Sequence, residues 1–584
     1  MADINRRKDK PTSYAEAKPK ADADKNSLLE VACACQITVD KERIEYDISG
    51  VELQQYIDKH HVLKLSIRER AEDTTRDITS YSGLLGKSIS LSIKPSGGVV
   101  SESRALTFVG LVTKVEQSSS IDAINVTTVE AHSPTISMDG ARHNAFFRDQ
   151  SRSDMIGAIV RNYPITVGTI DSSGDSLKFY VQHRETDYEF VMRLASGAGL
   201  FAHYDGQEFG AIKANSSGAE ELVWRETLGA FAMCLGTAPQ EFTAQVYNYE
   251  QSKSYTQDTK SVRSAASLSA LSQASPDASK KIYKDSGFST SPRVVSDARS
   301  LDKILERDRA QSMGQMITCE GQSSVPAIKV GKCVKIRGLD KLDGNYLVDS
   351  IVHQVNATGG YHNRFSGRPL DIAYPAGYST VPSATHLQTA IVVDNNDPQK
   401  LGRIKVKFPW LEAEETIWVR FLTPHAGEDR GWYAVPEIGD EVLIGYEFGN
   451  PNHPIALGAL YNKNAAPPGA APTPENDVKL FRTKAGNEIK INDKSGSEEI
   501  AITTKDGDNK VVLNMSGPSI TIESKGDINI KGSNVSIESD QKIKLKAGTD
   551  AEIEAGANLK TKASAQYSAE GAMVTVKGNP INLN

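Results

Sequence analysis

From Leu28 onward, short runs of alternating apolar and polar residues dominate the chain. Cys33, Cys35, Ile37 and Val39 share one face of a strand, and Leu63, Leu65 and Ile67 repeat the two-residue period. Ile89, Leu91 and Ile93 form another strand before the Pro95-Ser96-Gly97-Gly98 turn, and further strands run through 106–115 and 123–130. This pattern predicts an antiparallel barrel or sandwich over residues 28–130. Helical spacing enters in the next segment, 131–384. Ser153 is placed to cap a short helix over 154–161, and Thr186 with Glu189 forms a capping box ahead of Phe190 and Leu194. Ala298, Leu301, Ile304 and Leu305 make one stripe of a helix over 296–315. The stretch 250–300 is rich in Ser, Ala, Lys and Asp and reads as a surface excursion or a loop. Strands resume at 327–336 and 346–355, and a Pro-dotted connector over 374–382 marks a boundary. A strand-rich unit follows at 385–461, then a semi-rigid Pro/Ala linker at 462–477. Residues 1–27 are polar and aperiodic and read as a disordered arm.

The last segment, 478–584, contains a repeat. Apolar pairs separated by one residue recur at Ile520/Ile522, Ile528/Ile530, Val535/Ile537, Ile543/Leu545 and Ala551/Ile553. Leu559/Thr561, Tyr567/Ala569, Val574/Val576 and Ile581/Leu583 continue the series, at a spacing of eight residues with occasional sevens. Gly526, Gly532, Gly548, Gly556, Gly571 and Gly578 fall between pairs, where corners with positive φ are expected. Short strand, glycine corner and charged outward positions together make a β-helix signature. Eight residues per unit are too few for one full turn of a single-chain β-helix. Three intertwined chains solve this, each supplying one face of a triangular prism and pairing its neighbours' edges. At one strand spacing of about 4.8 Å per unit, the repeat from Ile520 gives a rod of roughly 40 Å. A flat solenoid or fibrous linker would instead leave the strand flanks open. The expected fold is mainly β, ending in a triple-stranded β-helix, a homotrimeric needle. Its core would be Ile520, Ile522, Ile528, Ile530, Val535, Ile537, Ile543, Leu545, Ile553, Leu559, Val574 and Val576.

Composition narrows the function. A chain of 584 residues has length for about three to five domains. Its net charge of -7 argues against a general nucleic-acid binder. No apolar run approaches a membrane-spanning helix, and the N-terminal stretch is not a secretory signal. The five cysteines are scattered, which fits synthesis in a reducing cytoplasm. Several suggestive fragments fail on inspection. Tyr81 to Ser88 ends like a phosphate loop but lacks its first glycine and runs into a strand. Gly197-Ala-Gly199 follows a helix and enters a strand, so it reads as a helix C-cap. His60-His61 reads as a strand-edge feature, and Cys33 and Cys35 as small buried hydrophobes. Neither a nucleophile elbow, nor a zincin motif, nor a Cys/His set with zinc spacing is present in the sequence. No catalytic, cofactor or metal site is expected.

Specific stretches carry a family likeness. The run Val181-Gln-His-Arg-Glu-Thr-Asp-Tyr-Glu-Phe-Val-Met-Arg-Leu-Ala-Ser196 resembles the hub signature of the VgrG family, with His183 where an aromatic is usual. Residues 131–139 look like the strand entering that family's second hub domain, and His353 with Gly359–Phe365 resemble its closing strands. Residues 390–398, Gly402–Val406, Pro409-Trp410, Trp418–Arg420, Pro436–Val442 and Gly449–Pro454 are similar to its oligonucleotide/oligosaccharide-fold (OB) barrel. The resemblance implies a non-enzymatic trimeric spike of a contractile injection system, type VI or an extracellular particle, with a phage tail hub-spike as the alternative. It implies a sixfold inner tube and baseplate proteins as partners at the hub end, and possible effectors. A PAAR-type tip protein would dock on Gly578, Asn579, Pro580, Ile581, Asn582, Leu583 and Asn584. Assembly would occur in the bacterial cytoplasm, with delivery on firing. Some relatives carry a wall-cutting domain. The interval of about sixteen residues between Tyr461 and Val478 leaves no room for a two-carboxylate glycosidase, and the final repeat pair suggests that no enzyme follows. The barrel aromatics Trp410, Trp418, Trp432 and Tyr433 lie among Glu412, Glu414, Glu415, Glu428, Asp429, Glu437, Asp440 and Glu441, which would repel phosphates.

Overall fold

A computed structural model describes residues 30–44, 46–69, 78–96, 100–119, 125–260, 268–285, 287–289, 297–377, 386–411, 416–469 and 473–582. The arm at 1–27 and the end residues Leu583 and Asn584 lie outside the described residues. The chain divides into two compact units, 1–465 and 466–584.

Two β-rings sharing a hairpin form the body of the first unit. The strands are β1 (Val31–Val39), β2 (Ile48–Tyr56), β3 (Val62–Glu69), β4 (Ser88–Pro95), β5 (Leu106–Ser119) and β6 (Asn125–His132), then β7 (Glu220–Val223), β8 (Leu228–Leu235), β9 (Ile317–Ser323), β10 (Cys333–Arg337), β11 (Gly344–Asn356) and β12 (Gly360–Pro369). Pairing runs β11-β2-β3-β6-β5-β4-β1-β12, and β12 pairs back onto β11, closing an eight-stranded ring. A second series, β7-β10-β11-β12-β9-β8, has its ends joined by the Trp224–Leu228 bridge. Residues 28–130 therefore do not close a barrel alone; the returning hairpin supplies its last two strands. That hairpin is long enough to serve two cores. Val355 and Tyr361 lie in the first core, whereas Tyr346, Val348, Ile351 and Phe365 lie in the second. Closure removes the open edges that would otherwise invite aggregation.

Between β6 and β7 the chain builds a helical layer. The strand expected over 131–139 stops at His132, and Pro134–Met138 forms a 3-10 turn because Pro134 has no N–H for a ladder. Helix α1 (Arg152–Val160) is capped by Ser151 rather than Ser153. The Ser151 Oγ accepts from the Asp154 N–H at 3.1 Å, while Ser153 is held by Ser173. Helix α2 (Asp187–Ala198) has the expected Thr186/Glu189 capping box and ends at Gly199, whose φ of 72° requires glycine. Helix α3 (Ala270–Ile282) occupies part of the stretch expected to be a loop or excursion. It buries Ser272, Ser275, Pro276 and Ser279, while its apolar spacing at Leu271, Ala274, Ala278 and Ile282 lies on the half-buried to exposed side, and an internal proline argues against a helix in the sequence. Helix α4 (Ala298–Met313) follows the Asp297 cap and buries Leu301 and Leu305 against Ala244 and Val246.

The OB unit contains β13 (Gln388–Asp394), β14 (Lys405–Lys407), β15 (Arg420–Phe421), β16 (Glu441–Tyr446) and β17 (Pro454–Leu460), ordered β14-β13-β16-β17-β15. A bridge between Ile404 and Val419 joins the two ends around a core that includes Val392, Val406, Phe408 and Ile444.

The second unit opens with an antiparallel meander: β18 (Val478–Arg482), β19 (Glu488–Asn492), β20 (Glu499–Thr503), β21 (Asn509–Asn514) and β22 (Ser519–Ser524). The octad repeat begins only at its last strand. Among the described residues, no backbone–backbone hydrogen bond joins any two positions within 526–582. The glycines expected to need positive φ there do not adopt it. At Gly532 and Gly571 a Cβ would instead stand 3.3 Å from the carbonyl oxygens of Asn534 and Met573, so close backbone approach accounts for these two.

Candidate assembly interfaces

The hub signature is a structural joint. Gln182 donates to the Glu185 carbonyl at 3.1 Å and to the Asp187 carboxylate at 2.9 Å. Arg193 grips Glu185 through two 2.7 Å bonds and donates to the Val181 carbonyl at 2.7 Å. Both ions of the pair are buried, and the guanidinium lies 4.9 Å from the ring centres of Tyr180 and Phe190. Asp187 and Glu189 are likewise engaged within the chain, by Gln182 and by Arg142. His183 is buried with its ring turned toward Tyr446 of the OB barrel.

A second buried chain threads the wall common to both rings. Asn363 Nδ2 donates to the Val325 carbonyl and to the Tyr361 hydroxyl, which reaches His353 Nδ1 at 2.6 Å. His353 Nε2 meets Gln55 Oε1 at 3.1 Å, Gln55 Nε2 meets His61 Nδ1 at 3.2 Å, and His61 Nε2 meets the Tyr56 carbonyl at 3.1 Å. One directional assignment satisfies all of these bonds: each histidine is neutral, protonated on Nε2 and accepting on Nδ1. Burial drives both histidines down to about 3. His61 is thus a core group and not a strand-edge feature, while His60 is partly buried and reaches Thr135 at 2.9 Å. Burial raises Cys33 and Cys35 to about 11, in keeping with unreactive thiols.

The OB barrel is tied to the hub by Arg403. This buried side chain takes Asp397 through 3.0 and 2.8 Å bonds and reaches Glu250 of the hub at 2.8 Å. Burial alone would raise the Asp397 carboxyl, but Arg403 and nearby backbone N–H groups hold it at about 2. Asn452 accepts from the Val181 N–H at 2.7 Å. Of the barrel aromatics, Trp410 stacks on Phe408 at 5.2 Å and Trp418 carries the Lys405 ammonium at 5.3 Å. Trp432 and Tyr433 stand exposed, as do Leu422, Ile438 and Phe448.

The meander is two-faced. Cross-strand register places Phe481, Ile489, Ile502, Val511 and Ile522 in one row and Ile491, Ile500, Leu513 and Ile520 in the next, all on one side. A groove of about 470 Å³ runs along this side, and Ile528 extends its lining into the repeat. The other side carries the ion pairs Arg482–Glu488, Lys490–Glu499 and Lys510–Glu523 at 2.5, 2.8 and 2.8 Å. Ile489, Ile491, Ile500, Ile502, Val511 and Leu513 were absent from the expected needle core. Their paired spacing was visible, but at intervals near eleven residues rather than eight. The expected core residues Ile520, Ile522, Ile528, Ile530, Val535, Ile537, Ile543, Leu545, Ile553, Leu559, Val574 and Val576 are all exposed in the single chain, Leu545 at 84% and Ile520 at 73%. At the end of the chain, Gly578, Asn579, Pro580, Ile581 and Asn582 are exposed too. Among the described residues, no group of three His, Cys, Asp or Glu side chains is placed to hold a metal, and no helix is long and apolar enough to cross a membrane.

Comparison with known proteins places these features. Residues 60–359 match the phage tail baseplate hub (GPD) family, and residues 388–461 match the type VI secretion system/phage-baseplate injector OB domain. The type VI secretion system spike protein VgrG1b of Pseudomonas aeruginosa is 23% identical over 395 residues, covering 60% of this chain and 50% of that protein. The actin cross-linking toxin VgrG1 of Vibrio cholerae is 24% identical over 406 residues, covering 62% of this chain and 36% of its own length. The chain therefore spans half or less of the length of these two curated relatives. A solved half-lidded Francisella PdpA-VgrG complex superposes with a TM-score of 0.55 at 8% identity, over 85% of this chain and 89% of that one, a likeness of fold.

Proposed function

The chain belongs to the phage tail baseplate hub family, and from that premise we propose that it is the trimeric, non-enzymatic central spike of a contractile injection system. One observation carries the reading: the apolar side of residues 478–582 is uncovered in one chain, and the backbone of 526–582 is unpaired there. Burying one such Ile, Leu or Val contributes about 1.5–3 kcal/mol, and unpaired backbone groups need partners wherever water is excluded. Two further copies supply both. Each chain brings two β-rings to the hub, so three chains present six. That number suits a threefold needle meeting a sixfold inner tube at the baseplate.

In this role the protein performs no chemistry; sheath contraction supplies the work, and the spike stays narrow and folded. Residues 578–584 are the docking face for a PAAR-type tip protein, and deleting them is expected to abolish tip capture in a pull-down. Effectors are further cargo, and nucleic acid is not a partner. The protein assembles in the bacterial cytoplasm and leaves on firing. A phage or prophage tail hub-spike uses the same mechanics, and genes for membrane-complex or tail-fibre proteins beside this one would separate the two. The toxin-named relative matches over only 36% of its length, so its printed activity is not carried over to this chain. Light scattering tests the core of the proposal. The native chain is expected at three times 63.3 kDa, and Ile489→Asp with Ile502→Asp is expected to return it to one. A native monomer would remove the proposal's physical basis.

A further inference from the structure

Apolar pairs repeating every eight residues leave an ambiguity. A chain displaced by one repeat still puts Ile, Val and Leu inside, so burial alone does not choose the register between chains. The outward positions resolve it. The residue following each inward pair from β22 onward is Glu523, Lys531, Glu538, Lys546, Glu554, Lys562, Glu570 and Lys577, a strict alternation of charge through eight successive units. The position between the two inward residues reads Thr521, Asn529, Ser536, Lys544, Glu552, Lys560, Ser568 and Thr575. The position before them reads Ser519, Asp527, Asn534, Lys542, Asp550, Asn558, Gln566 and Met573. In none of the three rows do consecutive units carry like charge.

The meander shows this row at work inside one chain. Register sets Arg482 opposite Glu488 and Lys510 opposite Glu523, and both pairs are closed, at 2.5 and 2.8 Å. Glu523 is also the first member of the alternating row. Beyond it the row continues but its partners are missing. Among the described residues, Lys531, Glu538, Lys546, Glu554, Lys562, Glu570 and Lys577 make no ion pair with another residue of the chain, although all are exposed.

A threefold wind brings the partners in. When each repeat advances one prism face and one strand spacing of about 4.8 Å, the strand stacked on repeat n belongs to another chain at repeat n+1. Side chains at equal positions in stacked strands are neighbours, where opposite charges attract and like charges repel. We propose that the Glu523–Lys577 row is an interchain charge ladder that sets the register of three identical chains, with Lys531, Lys546 and Lys562 each lying between glutamates of its two neighbours and Lys577 closing the row against Glu570. A slip of one repeat sets Glu on Glu and Lys on Lys along the whole needle, so the ladder acts against misregister as well as for the native wind. The inference rests on the trimeric spike reading and specifies what holds the three chains in step.

Two full-length variants test it beside the native chain. The first carries Glu538→Lys, Glu554→Lys and Glu570→Lys, which makes the row uniformly basic beyond Glu523. The second inverts all seven positions from Lys531 to Lys577, which keeps the alternation but for one contact at Glu523. The readouts are mass by light scattering and needle melting at low and high salt. The expected result is that the inverted chain stays trimeric and melts close to the native one. The basic chain is expected to lose its trimer or to melt far lower at low salt, with partial recovery in 1 M salt, where charges are screened within about 3 Å. A basic chain as trimeric and as stable as the native one would overturn the ladder while leaving the trimer intact. Equal damage in both variants would also overturn it, because alternation would then not matter. A native chain of one-chain mass would overturn the spike reading itself.

Discussion

The two units of this chain handle their apolar residues in opposite ways. In the hub, Leu53, Leu63, Leu91, Phe108 and Phe190 have no measurable exposure, and the first ring closes on itself within the chain. In the C-terminal unit, Ile502, Ile530 and Leu545 stand 51–84% exposed on a stretch with little or no backbone pairing beyond its fifth strand. Both regions alternate apolar and polar positions. The difference is closure: a sheet that curls onto itself finishes its core alone, whereas a two-faced ribbon must borrow one. The proposed trimer would therefore depend on one unit and matter little to the folding of the other.

Substitutions can break that contrast, and the largest effects belong to buried groups. Arg193→Met leaves Glu185 buried without its partner and should cost the hub about 3–5 kcal/mol in chemical denaturation. Adding Glu185→Leu should recover much of the loss. Phe108→Ala should cost a similar 3–5 kcal/mol with no change in solution mass, whereas Ile502→Asp should dissolve the association and leave the hub transition in place. Acid provides a graded test. His61 and His353 fall to about 3 and His203 to about 4 because burial disfavours their charged forms. Their folded values lie below the unfolded value of about 6.5, so the unfolded chain takes up protons first. Hub stability should be level above that pH and decline as pH falls from it toward 4, by up to about 1.4 kcal/mol per pH unit for each histidine. Denaturant midpoints at pH 7.5 and 5.5 would measure this. Tyr361→Phe, which removes the donor to His353, should cost about 1–3 kcal/mol. The smallest effect separates the two serines of α1: Ser151→Ala should lose about 1 kcal/mol as a cap is removed, and Ser153→Ala less.

Much of this was legible in the residues, and the failures share a cause. Two-residue alternation marks strands wherever one face is buried, and the Thr186/Glu189 box and the 298–305 stripe announce their helices. Alternation does not say which strand is the neighbour, so the closing of the first ring by β11 and β12, from more than 200 residues downstream, was invisible. Helix α3 buries serines, turns its apolar spacing away from the core and carries Pro276 inside, so nothing in its sequence announces a core helix. The polar chain from Asn363 to His61 draws single residues from distant strands, and only a spatial arrangement can join them. The octad repeat was plain because its period is fixed, yet the meander before it shows the same one-sided apolar pattern at a longer interval and was merged into it.

Hydrogen–deuterium exchange across residues 478–582 of the assembled full-length protein tests the central claim most directly. The single chain offers the amides of 526–582 no backbone partners, so protection there can come only from other chains. The account predicts slow exchange throughout the repeat, matching the hub strands and lost together with the trimer on Ile489→Asp/Ile502→Asp substitution. Exchange at the rate of an unstructured peptide in the native protein would contradict it.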